Sequence, residues 1–220
     1  MRRALARAFA IVGLLVAVAH TSASPAALGR STQPLDGSKN AVAETTLGNL
    51  VADALRAAAA ADFAFIQASA LQPVTIAPGE LGLEEIRSML VFADEPITVL
   101  RLDAGRIEDA LERSLGLLPN PNKGFLQLSG LKVRFDQRRP PGKRVQSIVV
   151  AKNDTPLDRQ KTYRVAVPES LAKGALGYFR VFDSVPRQRA DVTLSEAVRR
   201  FVAANTPLAP RVEGRIKPTR

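Results

Sequence analysis

Apolar positions recur at helical spacing in four stretches and alternate or cluster in several shorter ones, predicting helices interleaved with strands. From Glu44 to Ala61, Leu47, Leu50, Val51, Ala54, Leu55 and Ala58 fall on one helical face, and the alanines at 57–61 add propensity. Asp62 leads into Phe63-Ala64-Phe65-Ile66, a short apolar run expected as a buried strand. Beyond the turn at Pro78-Gly79, Leu83, Ile86, Met89 and Leu90 mark a short second helix. Ile97 to Leu102 alternates and is rich in β-branched residues, so it reads as a strand. Asp103 then caps a third helix with Ile107, Ala110, Leu111, Ser114 and Leu115 inward. Strands are expected over Phe125–Ser129, Leu131–Phe135, Arg144–Val150 and Tyr163–Val167. A last helix opens on the capping box Thr193-Leu194-Ser195-Glu196 and buries Leu194, Val198, Phe201 and Val202. A short strand near Arg211 to Ile216 closes the chain. The interleaving implies a mixed β-sheet flanked by helices, α+β or loosely α/β.

The start of the chain has a different pattern. Arg2, Arg3 and Arg7 precede an apolar run from Ala8 to Ala19, and Thr21-Ser22-Ala23 supplies small residues, the three parts of a secretory signal. That run is too short for a membrane-spanning helix, which needs about 20 apolar residues. Residues 1–23 are therefore expected to be a cleaved signal peptide, 24–40 a flexible lead rich in Ser, Pro and Gly, and 41–220 one domain. No later stretch is apolar enough to span a bilayer. The expected product is periplasmic or secreted, with no integral membrane segment after cleavage.

Composition narrows the chemistry. The chain has no Cys, and its one His, His20, lies in the expected leader. Ser-His-Asp and Cys-His nucleophile systems are excluded from the remainder, as is a zinc site of the usual N/S type. Any metal would be a hard cation on carboxylate oxygens, and no cofactor is indicated. Loss of the leader lowers the net charge from +10 to +7, which suits anionic ligands. Nucleic acid is a poor fit, because the densest basic run, Gln137 to Arg144, lacks interleaved aromatics and centres on a Pro-Pro-Gly hairpin tip.

Three features remain as candidate chemistry. Asp94-Glu95 is a pair of carboxylates, but neighbouring acids on an extended chain point to opposite faces, so the pair reads as a solvated loop. The loop Lys173 to Tyr178, with Gly174 and Gly177, is either a turn or a place where backbone approaches a ligand. Phe92, Phe179 and Phe182 read as core on composition alone, with a flat face for a base as the alternative.

The order of the motifs adds a resemblance. Glu44-Thr45-Thr46-Leu47-Gly48-Asn49-Leu50-Val51-Ala52-Asp53-Ala54 is followed by Gly79-x-Leu81-x-x-Glu84-Glu85-Ile86-x-x-Met89-Leu90-Val91-Phe92. Ala104-Gly105-Arg106-Ile107 with Leu111-Glu112 comes next, then Gly124 to Leu131, then Pro156-Leu157-Asp158 with Tyr163, then Gly174 to Tyr178. In this order, from about Ala41 to about Pro207, the chain resembles the C-terminal, substrate-recognition domain of the 5'-nucleotidase family. The resemblance implies a clamp that holds a base between two aromatic rings, with hydrolysis carried out by a separate metallophosphoesterase domain. It places Phe92 at the first ring and Asp94 at a polar position where the family has Asn. It also maps Gly174, Gly177 and Tyr178 onto a Gly-Gly-Asp-Gly-Tyr loop. The same alignment puts Ser170 at the second ring, Leu176 at the loop aspartate, and Ala70-Leu71-Gln72-Pro73 at a Gly-Gly-Ile-Arg segment. Ahead of Glu44, where the family often carries arginines, stands only Lys39.

The expected substrate-binding residues are therefore Phe92, Asp94, Gly174, Gly177, Tyr178 and Phe179, the last as a ring able to replace the lost one. No catalytic or metal-binding residue is expected. The expected function is an exported domain that binds a nucleotide, nucleoside or related anion with altered specificity and without its own catalytic half. Two alternatives stay open: a recognition subunit of a split 5'-nucleotidase or UDP-sugar hydrolase, docked on a metallophosphoesterase chain, and an envelope structural domain with no small ligand.

Overall fold

The computed structural model describes residues 27–219; the expected signal peptide lies outside them. Its elements are β1 (Gly29–Ser31), β2 (Leu35–Asp36), α1 (Thr46–Ala58), β3 (Phe63–Gln67), β4 (Thr75–Ile76), β5 (Gly79–Leu81), α2 (Leu83–Ser88), β6 (Pro96–Asp103), α3 (Ala104–Leu115), β7 (Leu126–Ser129), β8 (Leu131–Phe135), β9 (Val145–Val150), β10 (Thr155–Pro156), β11 (Thr162–Pro168), α4 (Glu169–Ala172), α5 (Phe179–Phe182), β12 (Arg187–Thr193), α6 (Leu194–Ala204) and β13 (Ile216–Pro218). Five strands form the central sheet in the order β12-β6-β11-β3-β7, and four form a second sheet, β10-β9-β8-β13. The β11–β3 pair is parallel and the other pairs of the central sheet are antiparallel. The architecture is α+β with mixed sheets, as the pattern predicts.

The two-residue period of the strands divides the core. Ala64, Ile66, Ile97 and Val99 face α1 and α6 on one side of the central sheet. Phe63, Phe65, Leu100, Leu102, Val165 and Val167 face α3 and the second sheet on the other. With both faces covered, β3 is buried along its whole length, and its sequence is accordingly apolar throughout rather than alternating with polar residues.

Helix α1 covers its apolar positions but is shorter than the expected Glu44–Ala61. Thr45 caps it, its hydroxyl accepting from Gly48 N at 3.0 Å, and the chain turns at Ala60 in a left-handed conformation to enter β3. The alanine run loses its last residues to that turn. Gln127 on β7 is buried beneath the start of the helix. Its side-chain oxygen accepts from Thr45 N at 3.0 Å, and its amide donates to the carbonyls of Asn40 and Ala43. A Cβ on Gly48 would lie 2.5 Å from the Gln127 side chain, so a glycine is needed for α1 to approach β7.

Glu44, Asn49 and Asp53 hold down the end of the chain. Asn49 donates to Glu44 at 2.7 Å, Glu44 accepts from Glu213 N at 2.7 Å, and Asp53 forms a two-pronged ion pair with Arg215 at 2.8 Å. This places Ile216–Pro218 parallel to β8, slightly later than the predicted terminal strand. Asp103 and Thr193 cap α3 and α6 as expected.

Residues 27–40, expected as part of a flexible lead, are instead fastened to the domain. β1 pairs with β5, β2 pairs with β4, and Leu35 is fully buried in the core. A single leucine with backbone pairing is enough to anchor the stretch, and no period can reveal that. Strand β12 was also hidden, because Arg187, Gln188 and Arg189 are exposed at the sheet edge and need only backbone bonds to β6. The tip joining β8 to β9 is solvated as predicted, apart from Arg144, which is buried and donates to the carbonyls of Leu115 and Leu118.

Gly48→Ala is expected to lower stability by about 1–3 kcal/mol, the range for forcing an extra methyl into a packed site. The midpoint of urea unfolding against the parent chain measures it.

Candidate functional site

The parallel strands β3 and β11 end side by side, and β6 begins at that same end of the sheet, Ile97 lying opposite Pro168. Ligands of α/β sheets gather beyond the carboxyl ends of strands. Here that space is a surface hollow of about 620 Å³ lined by Val91, Phe92, Ala93, Asp94, Glu95 and Ser170. The loop 91–95 is fixed from two sides. Val91 N donates to Ala70 O, while Leu194 N and Ser195 N at the start of α6 donate to Glu95 O and Ala93 O. Glu196 strengthens that first turn of α6. Hydrogen bonds from Arg199 and Arg200 hold its carboxyl down at about 2.

Phe92 is 59% exposed, which for a large apolar ring costs hydration free energy unless something covers it. No second ring pairs with it among the described residues. Ser170, at the position that the resemblance aligns with the second ring, also lines the hollow. There its backbone N–H donates to Glu95 Oε1 at 2.6 Å and its hydroxyl accepts from Gln67 Nε2 at 3.1 Å. Two oxygens next to Ser170 are buried without partners, Glu95 Oε2 and Gln67 Oε1. Asp94 is exposed at the rim. The hollow thus offers one ring, two carboxylates and a hydroxyl, and no lysine or arginine lines it.

The remaining predicted residues lie elsewhere. Tyr178 is fully buried, its hydroxyl donating to Gly124 O at 2.6 Å and its ring stacked on Phe182 at 5.5 Å. Burial pushes its phenol far above the ordinary value. Gly174 and Gly177 both have left-handed backbone. A Cβ on Gly174 would sit 2.5 Å from Phe179 Cα, and one on Gly177 would sit 2.9 Å from Arg113 Nε. These three residues shape the loop rather than face the hollow. Phe179 is 56% exposed with Arg180 over its ring at 5.7 Å, but it does not line the hollow, so it does not supply a replacement ring there. Leu176 is held in a left-handed conformation and accepts a hydrogen bond from Arg113. Of the six predicted residues, Phe92 and Asp94 meet in the hollow.

Sequence reasoning did not single out Glu95 or Ser170 as lining a hollow. The pair Asp94-Glu95 lies in a loop as expected, Asp94 exposed and Glu95 half-buried, with Glu95 N donating to Phe92 O. The available signal was the fully buried Gln67 at the end of an otherwise apolar strand, a polar residue that needs partners at the strand's carboxyl end.

Residues 18–184 match the model of the family described as 5'-nucleotidase, C-terminal domain. The chain belongs to that family. It is 32% identical over 145 residues to a snake venom 5'-nucleotidase from Macrovipera lebetinus, covering 63% of this chain and 35% of that protein. It is 27% identical to a human 5'-nucleotidase over the same length, covering 25% of it. The structure of a 5'-nucleotidase precursor from Thermus thermophilus superposes with a TM-score of 0.80 at 26% identity, covering 87% of this chain and 39% of that one. An NAD nucleotidase from Haemophilus influenzae shares the fold, with a TM-score of 0.77 at 17% identity. The chain spans about a quarter to two fifths of the length of these relatives. Among the described residues no helix is long and apolar enough to cross a membrane, and no group of three or more His, Cys, Asp or Glu side chains is arranged to hold a metal ion.

Tyr178→Phe is expected to cost about 1–3 kcal/mol, because Gly124 O is left buried without its donor. Thermal unfolding followed by circular dichroism checks it, with the fold retained at room temperature.

Proposed function

We propose that this chain is a substrate-recognition domain of the 5'-nucleotidase type, holding the base of a nucleoside or nucleotide against Phe92. The observation that supports it is the exposed Phe92 ring beside polar acceptors, in a hollow at the carboxyl ends of two parallel strands. Stacking on an aromatic face contributes about 1–3 kcal/mol per base. A single ring makes a one-sided platform, so affinity is lower than in a two-ring clamp and depends more on the polar groups around it. The start of the sequence, Arg2 to Ala23, supports export of the domain. Its ligands would then be met outside the cytoplasm.

Phe92→Ala is expected to weaken binding of adenosine or AMP by roughly 5- to 150-fold, which is the stacking range expressed as affinity. Isothermal titration calorimetry of the purified chain measures it. Unchanged affinity in the variant would place the site elsewhere.

A second reading concerns hydrolysis. We propose that bond cleavage depends on a metallophosphoesterase unit that this domain serves, a pairing normal for the family. Leu83 and Val91 are exposed apolar side chains on and just after α2, available to a docking partner. Phosphate release from AMP is expected only when a purified metallophosphoesterase partner is added, and release by the pure chain alone would refute this division of labour.

A further inference from the structure

We propose that a second hollow, at the far end of β6 from Phe92, binds inorganic phosphate and distinguishes it from sulfate through Asp103. This hollow has a volume of about 370 Å³, and Arg101, Asp103, Arg106, Thr162 and Ser184 are the polar residues lining it. β6 runs for 8 residues, which at about 3.4 Å per residue sets the two ends of the strand roughly 24 Å apart. That is too far for the phosphate of a nucleotide seated on Phe92, so the inference stands apart from the base-binding reading.

The sheet brings these groups together. Arg101 and Asp103 are two residues apart on one strand and share a face, and Thr162 on β11 pairs directly with Asp103. The loop after α5 passes at the same level, Arg101 N donating to Pro186 O at 3.0 Å. Arg106, half-buried in the first turn of α3, is held against that loop. Its guanidinium donates to Val181 O and Asp183 O, and its backbone N–H donates to Asp103 Oδ1 at 2.8 Å. Ser184 takes the loop through a left-handed conformation at φ 56°, a strain of the kind that gathers at ligand sites.

Most of the hydrogen-bonding capacity here is uncommitted. Among the described residues the Arg101 guanidinium has no partner, and neither do the hydroxyls of Thr162 and Ser184. Arg164 stands directly opposite Arg101 across the β6–β11 pair and turns away to Ala59 O at 3.0 Å. Like charges facing each other across a sheet are destabilising, and an anion beside Arg101 relieves that repulsion. Asp103 uses Oδ1 to cap α3 and keeps Oδ2 open.

The lining side chains thus offer two guanidinium groups and two hydroxyls as donors, against one free carboxylate oxygen as acceptor. Phosphate at neutral pH carries the complementary set, several anionic oxygens and at least one P–OH. Sulfate has the same shape but no proton, so it sets an anionic oxygen against Asp103. A site built to pair with a particular hydroxyl rejects the analogue lacking it far more strongly than an apolar pocket rejects a missing methylene. Asp103 therefore turns a general oxyanion site into one that reads the ligand's proton.

Isothermal titration calorimetry of the purified chain with sodium phosphate and sodium sulfate, at neutral pH and one ionic strength, tests this. Phosphate is expected to bind about 10- to 150-fold more tightly than sulfate, the span of one charge-assisted hydrogen bond. Arg101→Gln, at an exposed side chain that bonds to nothing in the fold, should weaken phosphate binding by about 10-fold or more. Asp103→Asn keeps a residue that caps helices as well as aspartate does and adds an amide donor, so sulfate should gain and the gap should close.

No heat from phosphate at millimolar concentration would overturn the site, as would unchanged phosphate affinity in Arg101→Gln. Equal affinities of the parent chain for the two anions would overturn the selectivity, whether or not Asp103→Asn folds. A gap that persists in folded Asp103→Asn would overturn the role of Asp103. Each of these results leaves base binding at Phe92 untouched.

Discussion

One buried amide governs how the two ends of the domain meet. Gln127, at the outer strand of the central sheet, satisfies the backbone of the segment that leads into α1, accepting from Thr45 and donating to Asn40 and Ala43. No water reaches it, so each of those bonds must be made within the protein or its loss is felt in full. Gly48 makes the approach possible by leaving out a side chain where the amide lies. Once α1 is seated, Asp53 and Asn49 are positioned to take Arg215 and Glu44, and the last strand is carried onto the second sheet. In this chain the motif Glu44–Ala54 is thus mainly a packing device, with Thr45, the Asn49 amide group and Asp53 engaged within the fold.

The same sheet that this device supports also makes the hollow. Parallel β3 and β11 end together, and the loop that follows each strand has to leave in a different direction, opening a space between them. Ser170 lines it, bonded to the buried Gln67, while α6 holds the rim loop by two backbone bonds. The result separates charge within one small domain, since the exposed surface is rich in arginine and lysine while the hollow is acidic. A basic surface draws anionic ligands near.

Much of the fold was legible in order and type. The helices α1, α3 and α6 announced themselves through one apolar face, and α3 and α6 also through a capping residue at Asp103 or Thr193, signals that act within a few residues of chain. β3, β6, β8 and β11 were legible through apolar or alternating runs. The segments that escaped were those stabilised from outside. β1 and β2 are held by pairing to β5 and β4, and β12 presents polar side chains because it is an edge. For the site, Phe92 and Asp94 were legible through the family motif. Tyr178 was assigned to the ligand by the same motif, although a tyrosine between glycine and phenylalanine serves as well to close a core. Glu95 was expected in a solvated loop, and it does lie in a loop, although half-buried there.

The sequence alone determined the alternation of elements, the family, and a chemistry without thiols or imidazoles outside the first 23 residues, because these depend on residue identity and on short-range periodicity. Tertiary structure decided which polar residues are consumed in holding the fold and which remain for a ligand. Gln127, Asp53 and Tyr178 have their bonding capacity taken up by residues far along the chain, whereas Asp94 does not. That distinction is a matter of who stands next to whom across a sheet, and hydrogen bonds saturate only between groups that folding has brought within about 3 Å.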